Sequence, residues 1–496
     1  MQQLESNRPS SHLVNSPLKL SPNLSPEVES FLQERQLAFD LVNGLGSPLN
    51  ILFPDLLKNN IIAFQEIFDK FRLPGKIYFA HKANRSDSII KRLSTEDVCI
   101  DVASVTELKH ALGCGFTANR IEATGPKNID FLALSLAHNI VINIDNIAEL
   151  EQIVKLKEKQ KQTNKTAILL RLSSFANTQT QSRHKSSRFG ICENEIETAF
   201  KILAQSTNTL NLIGFAFHLD TISVLEKSSA VEQCLKVFEQ ALFLGFQPYV
   251  LNIGGGFKLN YLAHQSDWHN YTTALREAVM GVRAPITWQG NSFGLKADKQ
   301  ALRGSFNSYN YYDPLTGPKF LEELLEQTLS NHNDMQIAQF LRTNGIQLWI
   351  EPGRSLLDQI GITISSITST RKSSLGENLI CLEMKRQDLC FLDQEFFVDP
   401  IIQYRHSNVI NTNELTPVYF AGNLCLESDL IYRHQTLVKQ MPQAGDLIIF
   451  PNTAGYFMDF SACEAIMHPI AAKVAIYRDG ERFAWSLDQK YQPWSS

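Results

Sequence analysis

The chain has 496 residues, 44% of them hydrophobic and 20% charged, with 46 Lys and Arg against 51 Asp and Glu. That composition is globular, at ~100–200 residues per domain the length suggests roughly two to four domains, and the net charge of −5 gives nucleic acid or an anionic membrane no electrostatic hold. No apolar run approaches the ~18 residues of a membrane span, and the opening MQQLESNRPSSHLVNSP lacks the basic-then-apolar order of a leader; the expectation is a cytoplasmic protein without nucleic-acid or membrane partners.

The first 25 residues, rich in Ser, Pro and Asn, read as a mobile arm. A short apolar run at Leu49–Phe53 either precedes the next domain or joins a later sheet. DLLKNNIIAFQEIFDKF places Leu56, Ile61, Phe64, Ile67 and Phe68 near helical spacing and stops at Pro74-Gly75. Eight apolar runs then follow: Ile77–Ala80, Val98–Asp101, Ile121–Ala123, Val141–Ile144, Ala167–Leu172, Leu212–Phe217, Tyr249–Ile253 and Leu348–Glu351. Helical patterns alternate with them. Ser104 and Glu107 form a capping-box signature before a helix ending at Gly113 or Gly115, Asp145 can cap the next, and Ser228–Phe243 supplies a long amphipathic one. The alternation predicts an α/β fold, a (β/α)8 TIM barrel over 26–357.

Two stretches break the rhythm. About ninety residues between Phe257 and Ile346 exceed an ordinary loop and read as a lid or substrate-facing insertion over about 258–345. From 358 to 496 the texture becomes short strand-like runs, ITISSIT, LICLEM, DLCFLD, PVYFAG, DLIIFP and AKVAIYR, which predicts an all-β C-terminal domain. The eight cysteines form no C-x-x-C pair and are expected to be mostly reduced and buried, and no metal is expected. KLKEKQK, from Lys155 to Lys161, reads as a solvated helix end.

In a parallel barrel the reactive groups lie after the C-terminal ends of the strands. Lys82 follows the first run, and partial desolvation there would make its amine a nucleophile for an aldehyde. Asp101, Arg171 and His218 end the second, fifth and sixth runs. Gly254-Gly255-Gly256 closes the seventh, where backbone amides can approach an anion, and Thr221 offers a hydroxyl to the same phosphate. Glu351-Pro352-Gly353-Arg354 ends the eighth, with a carboxylate for a protonated ring nitrogen and a guanidinium for phosphate. Amine, anion cradle and ring-facing carboxylate together describe pyridoxal 5'-phosphate.

From Lys76 to Tyr456 the motifs KIYFAHKAN, DVASVTEL, ATGPK, SRFGI, FHLD, LNIGGGF, IEPGR, GNLCLESD and NTAGYF stand in an order that resembles the fold-type III pyridoxal-phosphate-dependent decarboxylases. That family includes diaminopimelate, ornithine and arginine decarboxylases, with alanine racemase a more distant relative whose barrel type the chain would share. The resemblance implies that Lys82 forms the imine with the cofactor, that His218 stacks on its ring, and that Glu351 holds its nitrogen protonated. It also implies that Gly254–Gly256, Gly353, Arg354 and Tyr456 contact the phosphate, and that Cys425 comes from the partner of a homodimer to donate a proton. The chain departs from the family where substrate is read: Asp220-Thr221 replaces a Gly-Ser pair, and Leu426 stands where an acid often follows the cysteine. Arg188, Glu427 and Asp429 are the remaining substrate candidates. Decarboxylation of an L-amino acid or conjugate is the leading expectation; a racemase or epimerase on the same cofactor, or a decarboxylase-like regulatory protein without turnover, are the alternatives.

Overall fold

The computed structural model describes residues 17–160, 164–173, 175, 187–219, 221, 223–406 and 414–493. The chain divides into two compact units, one of 1–51, 260–313 and 361–474, the other of 52–259, 314–360 and 475–496.

The second unit is built on a closed barrel of eight parallel strands: β1 (Gly75–Ala80), β2 (Cys99–Val102), β3 (Ile121–Ala123), β4 (Val141–Ile144), β5 (Thr166–Arg171), β6 (Leu210–Ala216), β7 (Val250–Asn252) and β8 (Gln347–Ile350). All eight apolar runs are barrel strands. Their near-continuous hydrophobicity follows from burial on both faces, against the barrel interior and against the outer helices. Tyr78, Leu169, Ile213, Val250 and Trp349 pack together, with the Tyr78 and Trp349 rings 4.8 Å apart. Gly214 pairs with Leu169 on one side, where the register of β5 shifts after Ile168, and with Val250 on the other. A Cβ on Gly214 would lie 1.9 Å from the Val250 carbonyl oxygen. Gly214→Ala is therefore expected to cost about 3 kcal/mol or more, read as a lower urea midpoint.

Helices Leu57–Phe71, Val105–Gly113 and Val224–Phe243 cover the barrel as the periodicity predicts. Ser104 Oγ accepts the Glu107 N–H at 3.1 Å, while the Glu107 carboxylate reaches the Ala103 N–H at 2.7 Å. Asn146, not Asp145, caps the helix Ile147–Gln160, its Oδ1 accepting the Glu149 N–H; the Asp145 carboxylate is drawn instead to Arg171. Lys157 is 1% exposed and donates to Asn164 O and Thr166 Oγ1, so the expected solvated helix end is partly a buried hydrogen-bonded anchor.

The first unit is a β-rich body around β9 (Gly361–Lys372), β10 (Asn378–Leu382), β11 (Ile401–Gln403), β12 (Thr416–Ala421), β13 (Thr436–Val438) and β14 (Leu447–Phe450). The sheet order β13–β12–β10–β9 continues to Leu49–Leu52, which settles where that N-terminal run belongs. DLCFLD is not a strand: Arg386–Leu389 is a 3-10 turn held by the Asp388 carboxylate, which accepts the Lys385 N–H.

Three expected boundaries need correction. Residues 17–25 are not a mobile arm: Leu20 is 2% exposed, and the Leu20 and Ser21 amides donate to Asp399 and Asp267 at 2.7 and 3.0 Å. Residues 1–16 lie outside the described residues. The helices Pro26–Gln33 and Arg35–Leu45 belong to the β-rich unit, not to the barrel. The stretch read as one insertion is split: residues 260–313 bury Tyr261, Trp268, Tyr271 and Tyr311 with Phe396 and Phe397 inside the β-rich unit, and residues 314–345 return to the barrel unit as helices Gly317–Glu326 and Ile337–Thr343. Aromatic burial explains the first part better than a lid does.

All eight cysteines are free. Only Cys99, Cys234 and Cys390 are buried, fewer than expected, and Cys425 and Cys463 are exposed.

Candidate active site

The residues after the barrel strands converge electrostatically. Lys82 lies in the turn His81–Ala83 that closes β1, and its ammonium charge acts on Asp101, His218 and Glu351. Asp101, in β2, is 2% exposed and accepts the Thr124 hydroxyl. Burial and then the neighbouring Glu351 charge push its carboxyl up to about 7.

Glu351 follows β8 and shows the opposite balance. Burial opposes its ionisation, but His218, Lys82 and the Asn252 amide outweigh that and hold its carboxyl below the ordinary range. The Asn252 Nδ2 donates to Glu351 Oε1 at 2.8 Å. His218, after β6, has its proton affinity lowered chiefly by burial. Its Nδ1 accepts the Gly255 N–H at 3.2 Å and lies 3.9 Å from Glu351 Oε2, beyond hydrogen-bond reach.

The glycine triplet is fixed by close backbone approach. Gly254 has φ +65, and a Cβ there would meet Phe217 O at 2.6 Å; one on Gly255 would meet Glu351 O at 2.8 Å. Gly256 also has positive φ, +92. Only glycine accepts these conformations and contacts without strain. Beneath the loop Lys227, fully buried, donates to Gly255 O, and its Nζ lies 4.9 Å from the Phe257 ring centroid.

The other predicted residues in this unit are placed as follows. Gly353 opens, and buried Arg354 begins, a 3-10 turn directly after Glu351. Thr221 donates its hydroxyl to Glu226 and accepts the Ser223 N–H at 3.0 Å, which ties it to the start of helix Val224–Phe243. Arg171 pairs with Asp145 at 3.0 Å and stacks its guanidinium over Phe189, 4.8 Å from the ring centroid. Exposed Arg188 covers the same ring at 4.3 Å. Asp220 and residues 182–186 of SRHKSSR lie outside the described residues.

Sequence reasoning missed a polar layer inside the barrel. Glu122 of β3, fully buried, takes hydrogen bonds from the Asn143 and Asn252 amides at 2.9 and 3.0 Å. Burial, then the charges of Glu351 and Asp101, push its carboxyl well up. Asn252 thus joins Glu122 to Glu351, and its Oδ1 accepts the Gly254 N–H at 2.9 Å. The signal was legible in principle: one polar residue within each of the apolar strands IEA, VINI and VLN.

In the β-rich unit Cys425 and Glu427 are exposed on one loop with Leu426, itself 55% exposed. Asp429 is 6% exposed and gives its two oxygens to the Arg386 and Leu424 amides, each at 2.8 Å. A Cβ on Gly422 would lie 2.1 Å from that carboxylate. Asp429 is thus the clamp of the cysteine loop, which accounts for both oxygens without a substrate. Asp429→Ala is expected to destabilise the protein by about 2–3 kcal/mol and to speed alkylation of Cys425, measured by urea denaturation and mass spectrometry. Tyr456 sits at φ +73 with its ring 4.5 Å from that of Phe391.

Residues 55–289 match the family described as pyridoxal-dependent decarboxylase, pyridoxal binding domain. The chain is 29% identical over 450 residues to the uncharacterised protein y4yA of Sinorhizobium fredii, covering 90% of this chain and 91% of that one. It is 25% identical over 345 residues to a diaminopimelate decarboxylase of Bacillus methanolicus, covering 67% of this chain and 66% of that enzyme. In fold it is similar to crystal structures of diaminopimelate decarboxylase from M. jannaschi, with TM-score 0.68, 17% identity and 91% of each chain covered, and from Helicobacter pylori in complex with L-lysine, with TM-score 0.62, 17% identity and 90% and 95% covered.

Barrel, lysine, glycine triplet and ionised carboxylate define a pyridoxal-phosphate enzyme of the carboxy-lyase class. Residues 55–289 carry the match to that pyridoxal binding domain, and the chain is similar in sequence and in fold to diaminopimelate decarboxylases. The residues present fit that cofactor: an amine, a glycine cradle that side chains would fill, a buried arginine and a carboxylate ionised at neutral pH. No helix among the described residues is long and apolar enough to cross a membrane.

Proposed function

We propose that the protein decarboxylates an L-amino acid or amino-acid conjugate, in the cytoplasm, as a homodimer with shared active sites. The observation that carries this reading is the convergence of Lys82, His218 and Glu351 beside the glycine triplet, with Glu351 ionised. Bound pyridoxal 5'-phosphate supplies an electron sink for the bond broken at the substrate Cα. Lys82 holds the cofactor aldehyde. Glu351 keeps a proton on the ring nitrogen, because an ionised carboxylate stabilises a protonated pyridine. His218 offers its ring face, and the glycine amides with Arg354 oppose the phosphate charge. Asp101 and Arg171 complete the cofactor's surroundings. Thr221 reaches the phosphate only if its hydroxyl leaves Glu226. Exposed Cys425 delivers the proton from the partner subunit, and a carboxylate rather than an arginine at the ring nitrogen disfavours racemisation.

For the far end of the substrate, Glu427 and Arg188 are exposed and chargeable, whereas Asp429 is occupied. That favours an amino acid with a polar or charged distal group. The test is carbon dioxide release from the holoprotein offered basic, acidic and conjugated amino acids, with chiral analysis of what remains; epimerised substrate without gas would overturn the reading. Mixing Lys82→Ala with Cys425→Ala protein should restore about a quarter of wild-type turnover through heterodimers with one intact site. No recovery would overturn the shared site.

A further inference from the structure

A histidine pair beside Lys82 has no part in the chemistry above. His81, the residue before Lys82, is 2% exposed. Its Nε2 lies 2.8 Å from His110 Nδ1, and the two rings meet edge to face with centroids 5.1 Å apart. His110 Nε2 lies 3.1 Å from Asp87 Oδ1. At the other end His81 Nδ1, buried and without a closer partner, lies 3.5 Å from Glu107 Oε1. The series runs Glu107, His81, His110, Asp87.

The two shorter contacts each require one N–H, and an unprotonated Nδ1 on His81 would turn a lone pair toward the Glu107 carboxylate 3.5 Å away. Two neutral imidazoles carry only two between them. A third proton completes the series and gives the pair one positive charge between two carboxylates. Burial, then the charge of His81, lowers the proton affinity of His110. Burial opposes ionisation of Glu107, but His81, the Ala103 amide and Lys82 together hold its carboxyl below the ordinary range. Glu107 is thus within the field of both His81 and Lys82. The remaining groups around the series are Lys91, 3.7 Å from Asp87; Asp488, which accepts the Asp87 and Ser88 amides at 2.9 Å; and the Cys114 thiol, pushed up to about 11 by burial and Asp87 and so uncharged.

We propose that His81 and His110 share one excess proton between Glu107 and Asp87, and that this charge neutralises Glu107 and leaves the Lys82 amine free to lose its proton. The role given to Lys82 rests on its reading as the cofactor lysine. His81 is a positioning residue: it touches neither substrate nor cofactor and acts through Glu107. Without it, an uncompensated carboxylate favours the ammonium form of Lys82.

The experiment adds pyridoxal 5'-phosphate to the cofactor-free full-length chain and follows the initial rate of visible absorbance against pH. In His81→Gln the midpoint is expected to rise by about one unit, so that the rate at neutral pH falls about tenfold. In His81→Gln/Glu107→Gln, where both charges are gone, it should return to within about twofold of wild type. A purely structural role for His81 would lower the rate at every pH without moving the midpoint. An unshifted His81→Gln profile, or a double variant that keeps the shift, overturns the proposal. Nitrogen-15 NMR of the wild-type imidazoles, which needs no variant to fold, should show three N–H protons over the two rings at neutral pH; two would overturn the shared charge. Wild-type chain that takes up no cofactor at any pH, with three protons counted, overturns the cofactor reading and the role of Lys82 while the shared proton stands.

Discussion

Lys82→Ala protein is expected to lose turnover by at least about a thousandfold, because no neighbouring side chain can replace the amine that captures the aldehyde, and groups that act as a unit fail together. The turn His81–Ala83 that presents Lys82 is anchored by backbone, Asn84 N–H donating to His81 O at 3.1 Å, so the substitution should leave the turn in place. Lys82→Arg should be equally inactive, since a guanidinium does not lose its proton near neutral pH. The measurement is borohydride reduction of the holoprotein followed by peptide mass analysis: wild type should carry pyridoxyl on Lys82 and both variants none there. Label elsewhere on wild type would sink the assignment.

Glu351→Gln is the second large effect, a fall in kcat of about 100- to 1,000-fold with modest change in cofactor affinity. The physical reason is specific to this position. The carboxylate of Glu351 is ionised against the cost of burial because His218, Lys82 and Asn252 stabilise its charge. An amide keeps the Asn252 hydrogen bond but cannot stabilise a protonated ring nitrogen. Asn252→Ala should act in the same direction and more weakly, since it removes one hydrogen bond from Glu351 and also leaves Glu122 and the Gly254 N–H short of a partner. A Glu351→Gln protein with wild-type kcat would remove the carboxylate from the chemistry altogether.

Much of the barrel was legible because its signal is local. IEA and VINI became β3 and β4 with the expected ends, and the other six strands moved by one or two residues at their ends, since an apolar run that must be buried on both faces leaves little freedom of placement. Lys82, His218 and Glu351 could be placed at strand ends for the same reason, since a chemical group just after a buried strand has one address; Asp101 lies within β2. The misses are of a different kind. That Asn252 links Glu122 to Glu351, residues separated by more than two hundred positions, depends on barrel closure, which no window of sequence contains. Residues 260–313 looked like a lid because their polar and aromatic turns were read in isolation; their partners Phe396 and Phe397 lie far downstream. Asp429 looked like a substrate carboxylate because its distance from the cysteine is suggestive, but two backbone amides had prior claim on it.

The interleaving of the two units governs how the protein can be made. Each unit is stitched from three separated stretches of chain, and the barrel unit resumes only at residue 475. From there Asp488 supplies both carboxylate oxygens to the first turn of helix Asp87–Thr95, through the Asp87 and Ser88 amides and the Ser88 hydroxyl. On a ribosome the segment carrying Lys82 therefore emerges some four hundred residues before the side chain that fastens the helix beside it. Co-translational folding of this chain has to hold an unfinished barrel in waiting.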